Sequence, residues 1–515
     1  MSEPVSAVID PNEWVECGVR EHPHRVFLRT PDGRELTYAS LQEQCSRFAG
    51  ALARMGVAPG DRVAARVEKS PEAVLLYIAC LRMGAVFVPI NTASSPNELE
   101  HLLRDSAPRV AVVPPAEREG LTPLIEQAGV RQVETLARGS DGSISQLAEL
   151  ASSAESVLPR LDAQSVAALV YTSGTTGRPK GAMLTRANLA SNATVLAKAW
   201  RFDGNDVLLH VLPLFHVHGL FAAINTVLAS TASILLLPKF DARAVLKHLA
   251  DVTVFMGVPT HYIRLLQEGG LDRAATARMR LFVSGSAPLS VETHREFLAR
   301  TGHSILERYG MTETLFNTSN PYEGPRVPGS VGPPLPGVGV RITHAESGDV
   351  EHEPDVIGTL EIRGPNVFAG YWRDPDKTRS EFTADGWFKT GDLARIDARG
   401  YVHIVGRVKD LVISGGYNVY PKEVETELEA LPGVAESAVF GVPHPDFGEG
   451  VSAAVVLKTG TELAEGEIID ALRARLAPYK LPKRIVFLSE LPRNAMGKVC
   501  KDVLRSTYAT LYRGC

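Results

Sequence analysis

The stretch Val166-Ala-Ala-Leu-Val-Tyr-Thr-Ser-Gly-Thr-Thr-Gly-Arg-Pro-Lys180-Gly181 joins an apolar run to a loop rich in glycine and hydroxyl residues. Residues 166–171 have the length and the branched side chains of a buried strand. Strand-like and helix-period segments alternate on both sides of it, from about residue 60 to about residue 310. Such alternation is typical of parallel βαβ units with helices on the faces of the sheet. The sequence therefore predicts an α/β core.

The individual segments of this core can be assigned from their periodicity. We predict strands at 166–171, 233–237, 252–256 and 280–283, and helices at 187–199, 260–267 and 291–300. The longest apolar passage, residues 73–90, is interrupted by Arg82 and Gly84. It therefore predicts a buried helix followed by a strand and not a membrane span.

The pattern of apolar runs changes after about Gly329. Short strands punctuated by glycine and proline, at 358–363 and 401–405, predict a small β-rich lobe. Beyond the polar segment 406–410, helices at 421–431 and 465–476 and strands at 434–442, 451–457 and 484–488 predict a compact α+β unit. We predict a large N-terminal domain (1–408) of α/β sheet subdomains plus this lobe, followed by a small mobile C-terminal domain (409–515) that turns about Lys409.

Composition narrows the classes of function. Hydrophobic residues make up 44% of the 515 residues and charged residues 22%, as in a globular protein. The formal net charge of -5 gives no bulk reason to bind nucleic acid or an anionic membrane. We expect small-molecule substrates, and no partner protein can be inferred. The N-terminus lacks a secretory signal pattern and the five cysteines are scattered, so we expect a cytoplasmic protein without disulfides.

The loop that follows the predicted strand 166–171 has the residue types of a phosphate-binding loop. Two glycines free the backbone to turn its amides toward an anion, four hydroxyls donate hydrogen bonds, and Lys180 supplies a positive charge. Pro179 precedes Lys180 and the glycine spacing differs from the Walker pattern, which disfavours a standard P-loop nucleotidase. The alternative is a surface loop that is merely rich in serine, threonine and glycine.

Five motifs occur in an order that resembles the adenylate-forming superfamily of acyl-CoA synthetases, luciferases and peptide-synthetase adenylation domains. They are this loop, Tyr309-Gly-Met-Thr-Glu313, Thr390-Gly-Asp392, Gly406-Arg-Val-Lys-Asp410 and Pro492-Arg-Asn-Ala-Met-Gly-Lys498. Five further segments resemble malonyl-CoA synthetases in particular: Trp200-Arg-Phe202, His216-Val-His-Gly219, Pro238-Lys-Phe-Asp241, Met256-Gly-Val-Pro-Thr260 and Glu307-Arg-Tyr-Gly-Met-Thr-Glu-Thr314. The resemblance covers nearly the whole chain.

The resemblance implies a role for each motif. ATP would be bound by Thr172, Ser173, Gly174, Thr175, Thr176, Gly177, Lys180, Gly285, Ser286, Ala287, Tyr309, Asp392 and Arg407. Glu313, with Thr312 beside it, resembles the glutamate that coordinates Mg²⁺. Lys498 resembles the lysine that reaches the acyl carboxylate and the α-phosphate during adenylation. The C-terminal domain would then turn about Lys409 and bring Gly415 and Gly416 against the pantetheine arm of CoA.

Two arginines indicate which acid is the substrate. Arg308 stands where relatives have a glycine before the Tyr-Gly-x-Thr-Glu motif, and Arg264 lies on the helix after Thr260. An ionised carboxylate in a confined site needs compensation, and an arginine supplies it through paired hydrogen bonds. The resemblance adds Ser286 and His216 to this substrate site. For Arg264 the alternative is a charge on the helix surface, and the pair His216 and His218 lacks a nearby carboxylate or cysteine that would favour zinc.

The resulting prediction is ATP-dependent ligation of malonate to CoA through malonyl-AMP. Val217 and Phe316 stand where relatives carry threonine and methionine. These two differences alter the space around the α-carbon of the substrate, so methylmalonate stays open as an alternative substrate. Other short-chain acids and the loading of a carrier protein also stay open as alternatives. Two arginines disfavour the large apolar pocket of a luciferase. A nucleotide-sensing scaffold is disfavoured because Glu313, Asp392 and Lys498 are all present.

Overall fold

The computed structural model describes residues 10–139, 141–151, 159–173, 179–344, 347–494 and 497–512. Its α-helices are α1 (Pro11–Glu21), α2 (Tyr38–Arg54), α3 (Pro71–Met83), α4 (Pro96–Ser106), α5 (Arg118–Gln127), α6 (Ser143–Leu150), α7 (Arg186–Ala199), α8 (Asn225–Ala229), α9 (Ala242–His248), α10 (Pro259–Gln267), α11 (Val291–Thr301), α12 (Pro375–Glu381), α13 (Pro421–Glu429), α14 (Glu465–Arg473) and α15 (Lys501–Thr507). Its strands up to the end of the predicted core are β1 (Val26–Arg29), β2 (Glu35–Thr37), β3 (Arg62–Ala65), β4 (Val86–Pro89), β5 (Val110–Val113), β6 (Val133–Thr135), β7 (Val166–Ser173), β8 (Pro179–Thr185), β9 (Val207–His210), β10 (Ser233–Leu236), β11 (Val254–Gly257), β12 (Leu281–Ser284), β13 (Leu306–Met311) and β14 (Leu315–Ser319). The remaining strands are β15 (Gly339–Thr343), β16 (Val350–Glu351), β17 (Gly358–Arg363), β18 (Phe388–Ile396), β19 (Val402–Arg407), β20 (Val412–Ser414), β21 (Tyr417–Val419), β22 (Val434–His444), β23 (Gly448–Leu457) and β24 (Arg484–Phe487).

Across the described ranges these strands form four sheets. One has eight strands in the order β14-β13-β12-β11-β9-β10-β1-β2, and another has six in the order β6-β5-β3-β4-β7-β8. In both sheets the inner strands are parallel and antiparallel neighbours occur at the edges. This confirms the predicted α/β class.

Helix α3 shows how the two large sheets share a core. Every residue of α3 is buried, and it belongs to a cluster that includes side chains from both sheets. A helix that is apolar on all sides requires such a position. It begins after the capping hydroxyl of Ser70 and ends at Gly84, which adopts a left-handed conformation with φ of 80°. The predicted helix-then-strand of residues 73–90 is thus confirmed as α3 and β4.

The C-terminal third contains the two smaller sheets. The first, in the order β16-β15-β17-β18-β19, is antiparallel and lies within residues 339–407, where the β-rich lobe was predicted. The second, in the order β21-β20-β23-β22 with β24 beside β23, packs with α13, α14 and α15. A 3-10 turn at Val408–Asp410 connects them. The predicted boundary therefore falls where the chain changes sheet, and rotation about Lys409 stays a prediction.

The quoted loop closes a β-hairpin that the periodicity did not predict. β7 pairs antiparallel with β8, so that Thr172 lies opposite Lys180. Among the helices of the described ranges, none is long and apolar enough to cross a membrane.

Candidate active site

Lys180 lies at the base of the glycine-rich loop, where the pairing of β7 and β8 places it. Its Nζ is 3.3 Å from Asp374 Oδ2 and 5.9 Å from the centre of the Tyr371 ring. The residues between the two strands that were predicted to bind phosphate, Gly174, Thr175, Thr176 and Gly177, lie outside the described residues, as does the side chain of Ser173. The hairpin thus fixes where the loop begins and ends.

Glu313 lies beside this loop, in the turn between β13 and β14 that also holds Thr312. Its carboxylate is buried, and Oε1 accepts hydrogen bonds from Tyr371 OH at 3.0 Å and from Thr172 Oγ1 at 3.4 Å. Burial raises the pKa of Glu313 above its ordinary value. The sequence analysis missed Tyr371 and Asp374, because no spacing pattern links either residue to the loop. Together these contacts hold one carboxylate and one ammonium at the phosphate side.

Asp392, Arg407 and Tyr309 converge from three strands. Asp392 on β18 is paired with Arg407 on β19, and Arg407 Nε is 2.9 Å from Asp392 Oδ1. Tyr309 OH donates to the other carboxylate oxygen of Asp392 at 2.5 Å. The nearby Asp392 charge raises the pKa of the Arg407 guanidinium. The structure therefore brings together three residues that the sequence separated by up to 98 positions.

Lys498 reaches this group from the C-terminal domain. It lines a cavity of about 1870 Å³ together with Asp392, Arg407 and Arg308. Burial lowers the pKa of Lys498 to about 8; the Arg407 charge also lowers it, while Asp392 and Asp410 raise it. The lysine is thus close to Asp392 and Arg407, which are predicted to bind ATP. This is the arrangement that adenylation would require.

Arg308 is an unpaired cation in the interior. Only 3% of its surface is exposed, and its Cζ is 3.7 Å from the centre of the Phe316 ring. Its Nε and Nη2 have no hydrogen-bond partner in the part of the chain that the structure describes. A side chain at position 285 would collide with the guanidinium, since a Cβ there would lie 2.3 Å from Arg308 Cζ. Burial lowers the pKa of Arg308 to about 9, which leaves it charged at neutral pH.

The histidines and Ser286 lie next to Arg308. Ser286 Oγ is 3.3 Å from Nδ1 of the fully buried His218, and Ser286 itself has a left-handed φ of 71°. Burial, assisted by the Arg308 charge, lowers the pKa of His216 to about 4. Among the described residues no group of three or more His, Cys, Asp or Glu could hold a metal ion. Both histidines lie close enough to Arg308 for its charge to lower their pKa values.

Three predicted site residues lie elsewhere. Arg264 is exposed on α10 and lines a second cavity, of about 1200 Å³, that shares Thr260 with the Arg308 cavity. Gly415 and Gly416 form the exposed turn between β20 and β21, with φ of 60° and 82°, and are not among the described residues that line either cavity. The structure does not bring Arg264 into the same cavity as Arg308, and the CoA role of the glycines stays a prediction.

Known proteins resemble this chain over most of its length. A model of the AMP-binding enzyme family matches residues 15–372, and a model of the AMP-binding enzyme C-terminal domain matches residues 423–498. A mitochondrial malonate–CoA ligase of Mus musculus is 37% identical, covering 92% of this chain and 87% of that protein. An indoleacetate–CoA ligase of Aromatoleum aromaticum is 36% identical, covering 97% of this chain and 98% of that protein. A crystal structure of ATP-bound MatB from Rhodopseudomonas palustris is 50% identical, with a TM-score of 0.95, covering 98% of this chain and 100% of that one.

Proposed function

This chain belongs to the AMP-binding enzyme family, and on that premise we propose that it ligates malonate to CoA at the expense of ATP. In the first half-reaction a malonate carboxylate attacks the α-phosphate, which forms malonyl-AMP and releases pyrophosphate. In the second, the CoA thiol attacks the acyl carbon, which forms malonyl-CoA and releases AMP. The similarity to the malonate–CoA ligase of Mus musculus supports malonate as the acid. The similarity to ATP-bound MatB supports ATP as the nucleotide.

The buried guanidinium of Arg308 is the observation that carries the choice of acid. A monocarboxylic acid would leave this cation buried and unpaired, at a cost of several kcal/mol. Malonate brings a second carboxylate, which can accept hydrogen bonds from the two unpartnered donors, Nε and Nη2. Ser286 adds a hydroxyl beside them. In this proposal Arg264, which is exposed and lines the neighbouring cavity, attracts the anion, and His216 lies near Arg308.

The remaining site residues support adenylation. Asp392, with Arg407 and Tyr309 bonded to it, would accept hydrogen bonds from the ribose, while Lys180 and residues 172–177 would hold the phosphates. Gly285 and Ala287 flank Ser286 and would border the adenine. Lys498, which lies in the same cavity as Asp392, would place its ammonium on the acyl carboxylate and the α-phosphate. Fixed cations of this kind stabilise charge as pyrophosphate departs.

Glu313 fits a magnesium ion that is shared with the nucleotide. Mg²⁺ prefers one or two carboxylates together with phosphate oxygens, and Glu313 would supply one carboxylate. Thr172 and Tyr371 would orient Glu313, with Thr312 in the same turn. Once bound, the ion would neutralise charge on the phosphates.

The second half-reaction requires a different position of the C-terminal domain. We place the domains at 1–408 and 409–515, with Lys409 in the connecting turn as the hinge. Rotation would withdraw Lys498 and bring the exposed turn of Gly415 and Gly416 to the pantetheine arm. Two glycines with left-handed φ allow such a close approach.

Methylmalonate is the alternative acid. Val217 and Phe316 are both buried, and the Phe316 ring directly contacts Arg308, which would leave less room for a substituent at the α-carbon. We also propose a cytoplasmic location.

The test is product analysis with purified protein, ATP, Mg²⁺, CoA and malonate. Mass spectrometry should find malonyl-CoA and AMP, and omission of CoA should leave enzyme-bound malonyl-AMP. ATP binding without malonyl-AMP formation would contradict the proposal.

A further inference from the structure

His218 is a fully buried imidazole with one unused nitrogen. Its Nδ1 is 3.3 Å from Ser286 Oγ, and its Nε2 has no partner among the described residues. It is the first residue of a π-helical segment, His218–Ile224. Helical turns of this kind are rare and frequently occur at functional sites. A buried polar nitrogen without a partner is costly unless a ligand satisfies it.

His218 and Arg308 lie against the same aromatic ring. The Phe316 ring contacts both groups, with the imidazole centre at 5.6 Å and the guanidinium carbon at 3.7 Å. Arg308 and His218 thus both lie against the Phe316 ring, and each has buried nitrogens without a partner among the described residues. Ser286, which bonds His218, lies on the loop that follows β12 and lines the same cavity as Arg308.

The charged and titratable groups that face His218 are all basic. They are Arg308 on β13, His216 in the preceding loop, His210 on β9 and His261 on α10. Burial and these neighbours hold the pKa of His218 well below its ordinary value, so a neutral imidazole lies beside a charged arginine. No carboxylate occurs among these facing groups in the described structure. A carboxylate that binds here would therefore place a negative charge beside the imidazole, where the neighbouring charges are positive.

We propose that His218 binds the carboxylate of malonate that is not activated, and that its Nε2 takes up a proton from solvent as this carboxylate enters. The inference rests on the proposed function and deepens it. A carboxylate within hydrogen-bond distance favours the charged imidazole, which reverses the effect of burial. The proton then lies between Nε2 and the carboxylate, and Arg308 binds the same carboxylate. A monocarboxylic acid brings no second carboxylate and takes up no proton.

Calorimetry on the full-length protein tests this inference. Malonate is titrated into protein saturated with a non-hydrolysable ATP analogue, in two buffers of different ionisation heat at neutral pH. We expect uptake of about one proton per malonate and none per acetate. His218→Gln keeps a hydrogen-bond donor but cannot take up the proton. It should lose the uptake and raise the KM for malonate about tenfold, as expected for one charge-assisted hydrogen bond.

The matched control is His294→Gln. His294 is also buried, and its Nδ1 likewise has no partner among the described residues, but the charge beside it is Arg326 and not Arg308. This variant should keep both the proton uptake and the KM for malonate. The melting temperature of each variant separates loss of binding from loss of folding.

The wild-type pH profile provides a test that needs no variant. The KM for malonate should rise about tenfold per pH unit above neutrality, while the KM for acetate stays flat. Malonyl-AMP formation without proton uptake, or equal uptake by His218→Gln, would overturn the inference and leave the proposed function intact. Absence of malonyl-AMP would overturn both.

Discussion

The substitution Arg308→Met tests the choice of acid most sharply. Methionine keeps an unbranched apolar side chain against Phe316, so packing changes little, but the guanidinium is lost. The substitution removes a buried cation that has two unpartnered donors, which favours stability. We therefore expect a melting temperature at or above that of the wild type, and unchanged binding of ATP.

The size of the effect on malonate follows from burial. Charge-assisted hydrogen bonds contribute about 1.5–3 kcal/mol each, and removal of one partner of a buried ion pair costs about 3–5 kcal/mol. Because about 1.4 kcal/mol corresponds to a factor of ten, kcat/KM for malonate should fall by about two to three orders of magnitude. Acetate has no second carboxylate, so the kcat/KM of the variant for acetate should stay within about threefold of the wild-type value or rise above it.

The assay is malonate-dependent exchange of pyrophosphate into ATP, run in parallel with acetate. Arg264→Met provides the comparison, because Arg264 is exposed and an exposed charge contributes only about 1 kcal/mol or less. Its loss of kcat/KM should therefore be about fivefold or less, by the same conversion. Unchanged malonate kinetics in Arg308→Met would refute the reasoning and assign Arg308 to structure.

Four further predictions concern adenylation and the hinge. Lys498→Ala should slow pyrophosphate exchange by about a hundredfold or more, yet form malonyl-CoA from supplied malonyl-AMP within about threefold of the wild-type rate. Burial lowers the pKa of Lys498 to about 8, so its ammonium is charged below that pH. With saturating malonate, exchange should therefore stay constant up to about pH 8 and fall about tenfold per pH unit above pH 8. Asp392→Asn should weaken ATP binding by about tenfold in calorimetry, since it removes the charge that pairs with Arg407. Lys409→Pro should keep exchange and slow CoA-dependent release of malonyl-AMP, because proline restricts the backbone at the hinge.

Each of these has an outcome that contradicts it. Equal loss of both half-reactions in Lys498→Ala would argue against a rotating domain, and an exchange rate that climbs above pH 8 would argue against a charged ammonium. Unaltered ATP affinity in Asp392→Asn would remove that residue from the nucleotide site. Normal CoA-dependent turnover in Lys409→Pro would move the hinge elsewhere.

Segments with strong periodicity could be predicted from the sequence. The strand predicted at 358–363 is β17 to the residue, and the helix predicted at 187–199 is α7 with one residue added at its start. These segments carry local signals, because alternation or a 3.6-residue period is present within each of them. The polar segment 406–410 lies where the chain passes from β19 to β20, and the domain boundary there stays a prediction.

Contacts that join distant parts of the chain could not be predicted in this way. Tyr371 bonds Glu313 across 58 positions and Asp374 pairs with Lys180, and neither contact has a sequence pattern. β8 was missed because its first residues, Pro179 and Lys180, belong to the polar loop. The sequence indicated that Arg308 was unusual, but only the structure shows that it is buried without an acidic partner in the described residues. Likewise the sequence disfavoured zinc for the pair His216 and His218 and gave His218 no separate role.

The most direct test of the whole account is a comparison of acids. Purified protein with ATP, Mg²⁺ and CoA is supplied in turn with acetate, malonate, methylmalonate, succinate and octanoate, and AMP release is measured for each. The buried cation of Arg308 predicts the highest kcat/KM for malonate, with acetate and octanoate lower by about two orders of magnitude or more. Equal or better turnover of acetate or octanoate would contradict the account.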